Sequence, residues 1–187
     1  MMSDYIAVMI GGSAGSFQVV TKILATIPKN FDLPIFMCLH RLKHVRSGFV
    51  EALSIKSNLT IVEPFDKENL RSGIVYLAPA NYHMYIDADK RFSLSTEEPE
   101  NHSRPSIDLS FITAAQAYKS KLVGIILSGA NKDGAKGLKM VKENGGLTIV
   151  QDPKEAQVDT MPVASMAATK VDHVLSTDQI IDFLSKL

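Results

Sequence analysis

The sequence predicts an α/β fold: three layers, doubly wound, on a mainly parallel sheet with an antiparallel hairpin addition. Short continuous apolar runs point to it first. Residues 5–10 (YIAVMI), 34–39 (PIFMCL) and 122–127 (LVGIIL) have no polar alternation, as strands buried on both faces require. Each of the three is followed by a turn or polar stretch and then by a segment of helical character. Strands that alternate with helices in this way pair in parallel and carry helices on both faces.

The elements follow in order. After the strand at 5–10 comes a glycine-rich turn, Gly11 to Ser16, and then a helix. Its inner face holds Phe17, Val20, Ile23, Leu24 and Ile27, and it ends near Pro28. The strand at 34–39 is closed by His40. Residues 47–56 read as a helix with Ser47 as cap, and 59–62 as a third strand. The middle of the chain changes character: 73–77, 82–87 and 91–95 are short strands, and Asp87-Ala88-Asp89-Lys90 suits a hairpin turn. Residues 97–105, polar and with two prolines, read as a loop, and 106–118 as a helix with Ile107, Phe111, Ala114 and Ala115 inward. The strand at 122–127 leads through a loop at 128–132 into a helix over 133–144, which Gly145-Gly146 ends. A strand at 147–150 and helices at 161–170 and 177–184 complete the chain.

Residues 1–187 are expected to form a single domain, since this length supports one core and is short for two. Twenty basic and 20 acidic residues cancel, so no nucleic-acid partner is expected. No apolar run approaches the ~18 residues of a membrane span, so no membrane insertion is expected. The N-terminus has no basic stretch ahead of its short apolar run, which argues against a signal peptide. The one cysteine, Cys38, has no disulfide partner, and a cytoplasmic location is expected.

Open α/β sheets bind ligands beyond the carboxyl ends of their strands. Three such ends carry reactive residues: Ser13, His40 and Asp133. A serine nucleophile needs a base for its proton, and the base needs an acceptor to hold its ring. Ser13 lies in Gly11-x-Ser13-x-Gly15 between a strand and a helix, the setting of a nucleophile elbow, where the helix N-terminus offers N–H groups to an oxyanion. Each residue also has an ordinary structural role open to it: Ser13 and Asp133 as helix caps, His40 as a strand-end histidine. A P-loop lacks its Gly-Lys-Ser/Thr ending here, and a dinucleotide site lacks its acidic residue, Leu39 and His40 standing in that place. His44 sits among Arg41, Lys43 and Arg46 and reads as surface. His83 faces either core or cleft, and His102 and His173 read as surface or loop. No histidine has metal-ligand spacing with cysteine or carboxylate partners, so no metal is expected. Cys38, inside an apolar strand, is a poor nucleophile.

Together, Gly11 to Ser16, Cys38-Leu39-His40, Tyr76-Leu77-Ala78-Pro79, Arg104-Pro105-Ser106-Ile107-Asp108 and Gly129 to Gly137 (GANKDGAKG) resemble the catalytic domain of the CheB family of chemotaxis receptor methylesterases. Five motifs agree in order and spacing from about Ile6 to about Phe183. The resemblance implies a three-layer α/β fold and hydrolysis of γ-glutamyl methyl esters on the cytoplasmic helices of methylated chemoreceptors, with glutamine deamidation as a related activity. It maps a catalytic triad onto Ser13, His40 and Asp133, with no cofactor. The oxyanion is expected on the backbone N–H groups of Ala14 and Ala130, and the substrate cleft beside Arg104 and Ser106, whose ordinary role would be to cap the helix that starts near Ile107. The chain departs from the family pattern at Ser16, Ala14, Ala130-Asn131 and Arg41-Leu42, all around the site. The family's receiver domain would need about a hundred further residues, so a receiver domain or fusion partner is an expected partner. The alternative expectation is a catalytically weak module on the same fold that binds a receptor or signalling partner.

Overall fold

Strand β1, Ala7–Gly12, alternates its apolar side chains between two cores, and this sets the layers. Val8 and Ile10 pack with Val20, Ile23 and Leu24 of helix α1, Ser16–Thr26. Ala7 and Met9 point the other way. The computed structural model describes residues 5–41 and 48–187. After α1 come β2 (Ile35–Leu39), α2 (Phe49–Ser54), β3 (Thr60–Val62), β4 (Ile74–Leu77), β5 (His83–Ile86) and β6 (Phe92–Ser95). Then follow α3 (Ile107–Tyr118), a 3₁₀ turn, β7 (Leu122–Ile126), α4 (Ala135–Glu143), β8 (Leu147–Gln151), α5 (Thr160–Ala168), β9 (His173–Leu175) and α6 (Thr177–Leu184).

Seven strands form one parallel sheet in the order β3-β4-β2-β1-β7-β8-β9, and β5 pairs with β6 in a separate antiparallel hairpin. Helices α1, α2 and α6 cover one face through Leu24, Leu53 and Ile180. Helices α3, α4 and α5 and the hairpin cover the other through Phe111, Leu138, Met161 and Phe92. The architecture is the expected three-layer α/β fold.

Three local expectations need correction. The loop expected around His173 contains β9, which adds to β8 as an edge strand. It is three residues long with His173 and Val174 exposed, so no buried apolar run announced it. Helix α4 begins at Ala135 rather than at Asp133, because Gly134 takes a left-handed conformation (φ 99°) and the Asp133 side chain is committed elsewhere. Helix α2 is shorter than the expected 47–56. Its proposed cap, Ser47, lies outside the described residues.

Candidate active site

Strands β2, β1 and β7 are neighbours at the centre of the sheet. Their carboxyl ends therefore lie side by side, and they are the ends followed by His40, Ser13 and the 128–133 loop. Main-chain bonds hold the ends in register. The His40 N–H donates to Gly12 O (3.1 Å) and the Ser13 N–H to Ser128 O (2.9 Å). The turn after β1 closes tightly. Gly15 sits at φ 81°, where a side chain would also collide with Gln157 and Ser128. Ser16 is buried, and its Oγ donates to Ser13 O (2.6 Å).

His40 and Asp133 meet. The His40 Nε2 lies 2.7 Å from Asp133 Oδ2, and the Asp133 side chain is fully buried. Asp133 also accepts the Ile107 N–H at Oδ2 (2.7 Å), and the Asp108 N–H (2.9 Å) and Ser106 Oγ–H (3.2 Å) at Oδ1. It thus caps α3, a helix remote in sequence, rather than the helix that follows it. Burial works to raise its pKa. Hydrogen bonds from His40 and from the Asp108 and Ile107 N–H groups outweigh that and hold the carboxyl below the usual carboxylate range.

Ser13 and His40 line one cavity of about 450 Å³ with Ala14, Gly15, Phe17, Arg41 and Phe49. The Ser13 hydroxyl and His40 Nδ1 have no hydrogen-bond partner among the described residues. The N–H groups of Ala14 and Ala130 are likewise unpaired there, on exposed loop residues. Arg41 forms one wall. Its guanidinium bonds Glu63 (2.7 Å) and the Ala78 carbonyl and stacks over the Phe49 ring at 5.0 Å.

Of the expected cleft pair, Arg104 and Ser106, only Arg104 borders open space. It shares a cavity of about 70 Å³ with His40 and His102, and its Nη1 donates to the carbonyls of Thr96 (2.7 Å) and Glu97 (2.9 Å). Ser106 is fully buried and does not line the cleft. Its hydroxyl caps α3 at Leu109 and touches Asp133. His83 belongs to the core, where Nδ1 accepts the Ser106 N–H and Nε2 faces Glu98 O. Cys38 is buried beneath the site, and burial, reinforced by the Asp133 charge, pushes its thiol far up. His44 lies outside the described residues. Among the described residues no group of His, Cys, Asp or Glu is placed to hold a metal ion. No helix among them is long and apolar enough to cross a membrane.

Sequence reasoning missed Ser128. Its Oγ donates to Ala14 O (2.7 Å) and accepts the Val158 N–H (2.9 Å), and its own N–H goes to Gln151 Oε1 (2.9 Å). With its carbonyl on the Ser13 N–H, it ties the turn after β1 to β7 at two points. A serine in a loop carries no signal of such long-range bonds. A hydroxyl, and an imidazole whose ring is held by a buried carboxylate, on one cavity, are the parts that nucleophilic acyl transfer needs.

Residues 8–184 match the family model of CheB methylesterase. The chain belongs to the CheB methylesterase family. Its members are hydrolases of carboxylic esters. The Thermotoga maritima CheB methylesterase catalytic domain superposes with a TM-score of 0.92 at 34% identity, covering 97% of this chain and 98% of that one. The protein-glutamate methylesterase/protein-glutamine glutaminase of Clostridium acetobutylicum is 35% identical over 181 residues, 97% of this chain and 52% of that protein. A Leptospira interrogans protein, provisionally given the same designation, is 46% identical over 184 residues, 98% of this chain and 95% of its own. This CheB-family chain thus spans about half of the Clostridium protein and nearly all of the Leptospira one.

Proposed function

We propose that this chain is a protein-glutamate methylesterase acting in the cytoplasm on γ-glutamyl methyl esters of chemoreceptor helices, through Ser13, His40 and Asp133. The observation that carries the reading is the 2.7 Å bond between His40 Nε2 and the buried Asp133, with the His40 ring and the Ser13 side of the β1 turn on one cavity. Ser13 Oγ attacks the ester carbonyl while His40, through Nδ1, takes the hydroxyl proton. Asp133 holds the ring and offsets its developing charge. The oxyanion rests on the N–H groups of Ala14 and Ala130. Collapse of the tetrahedral intermediate expels methoxide, which leaves as methanol with the proton from His40. Water, deprotonated by His40, then releases the glutamate and restores Ser13. The same steps on a glutamine side chain release ammonia, the deamidase activity named for the relatives. Arg104 contributes a cleft contact, and an unchanged KM in Arg104→Ala removes it from the set.

The test is methanol release from methylated chemoreceptor by the intact chain and by Ser13→Ala. Loss of release in the variant, by several orders of magnitude, supports the mechanism. Equal release by both refutes it. No release by either, from folded protein, leaves a receptor-binding module on the same fold.

A further inference from the structure

Asp108 is a second buried carboxylate, 3% exposed, directly behind Asp133. It lies one position inside α3, and its Oδ1 accepts two N–H groups at the start of α4, from Gly134 (2.9 Å) and Gly137 (2.8 Å). Its Oδ2 accepts Asn101 Nδ2 (3.2 Å). Asp133, just ahead of α4, accepts the Ile107 and Asp108 N–H groups at the start of α3. Each carboxylate therefore caps the other's helix, and the two residues are tied in both directions. One tie runs from the Asp108 N–H to Asp133 Oδ1, the other from the Gly134 N–H to Asp108 Oδ1.

This cross-tie needs the two helix starts very close together, and the sequence provides for it. A Cβ at Gly137 would lie 2.4 Å from Phe111 Cβ and 3.1 Å from Asp108 O, and one at Gly134 would lie 2.8 Å from Ile107 Cγ2. A neutral apolar residue at 108 would leave two buried helix-terminal N–H groups without an acceptor. Burying a second acid beside the first is unfavourable, and only an acceptor of this reach bonds both N–H groups at once.

We infer that Asp108 is a positioning residue for the Asp133–His40 pair. By fixing the Asp133–Gly134 peptide against α3, it sets where the Asp133 carboxylate meets His40 Nε2. This rests on the reading of Ser13, His40 and Asp133 as the reacting set. Asp108 itself touches neither the cavity nor the substrate.

The experiment measures kcat and KM for methanol release with the intact chain, Asp108→Ala, Asp108→Asn and Ser13→Ala, each checked for folding by circular dichroism. Asp108→Ala should lower kcat roughly 10–100-fold with KM within about twofold, the scale of a misplaced catalytic group. Asp108→Asn keeps an oxygen for Gly134 and Gly137 and should recover kcat to within about fivefold. Should Asp108→Ala not fold, Gly137→Ala, which forces α4 away from Asp108, should show the same kcat loss. A folded Asp108→Ala with native kcat and only a lowered Tm overturns the positioning role. An Asn variant as slow as the Ala variant overturns it in favour of a charge effect. A Ser13→Ala chain that retains activity refutes the underlying reading instead, and the inference falls with it.

Discussion

Replacing Asp133 by asparagine keeps the shape of the side chain and removes one acceptor atom. Wild-type Oδ2 accepts from His40 and the Ile107 N–H, both at 2.7 Å, while Oδ1 accepts from Asp108 N–H and Ser106. With the amide nitrogen at the Oδ2 place, a donor faces the Ile107 N–H, and His40 must turn its Nε2 lone pair inward, which puts the ring proton on the wrong nitrogen. With the nitrogen at the Oδ1 place, the Asp108 N–H loses its acceptor instead. Either way one buried helix-terminal N–H is orphaned, worth about 1–3 kcal/mol. Loss of the charge at the α3 N-terminus adds about 0.5–1 kcal/mol. Together these lower Tm by roughly 3–16 °C for a chain of this size. The tautomer with Nε2 facing an amide N–H should lower kcat by about 10³–10⁴, the scale known for such a change in other triads. Thermal melts and methanol release, with Ser13→Ala as the floor, measure both. A variant with unchanged Tm refutes the capping argument, and one within tenfold of native kcat refutes the role given to Asp133.

Ser128→Ala should cost about 1 kcal/mol, because the half-buried Val158 N–H loses its acceptor, and should slow turnover by loosening the turn after β1; native kcat in the folded variant contradicts its tie to Ala14. Cys38, fully buried with its thiol pushed far up, should resist iodoacetamide in the native chain, and rapid labelling with loss of activity would place it at the surface. Burial works to raise the pKa of Asp172, but bonds from Lys142 and Thr148 outweigh it and hold the carboxyl below the ordinary value of about 4. Its stabilisation is therefore complete above about pH 4 and is lost as pH falls through the lower folded value. Asp172→Asn should melt below the native chain at pH 6, by no more than about 2 °C because the Lys142 pair is open to solvent, with the gap closing toward pH 2; a gap that widens in acid reverses the sign of this linkage.

The layered fold was legible in the residue pattern. Strands buried on both faces must be continuously apolar, so β1, β2 and β7 stood out, and the helical spacing of Val20, Ile23, Leu24 and Ile27 placed α1 on one face. The pattern also carried Ser13, His40 and Asp133 to candidate status, because a strand end in an open parallel sheet is where a reactive group becomes accessible. The edge strand β9 was not legible, since three residues, two of them exposed, look like a loop. That β2, β1 and β7 are adjacent emerges from packing alone, a matter of strand order that no local pattern encodes. Packing alone assigned Asp133 to the start of α3 rather than α4, buried Ser106 away from the cleft, and tied Ser128 to Ala14 and Asp108 to Gly134. These bonds join residues 25 to 114 positions apart. Side chains of ordinary type make them, and their partners are set by how helices and strand ends pack, which sequence spacing does not specify.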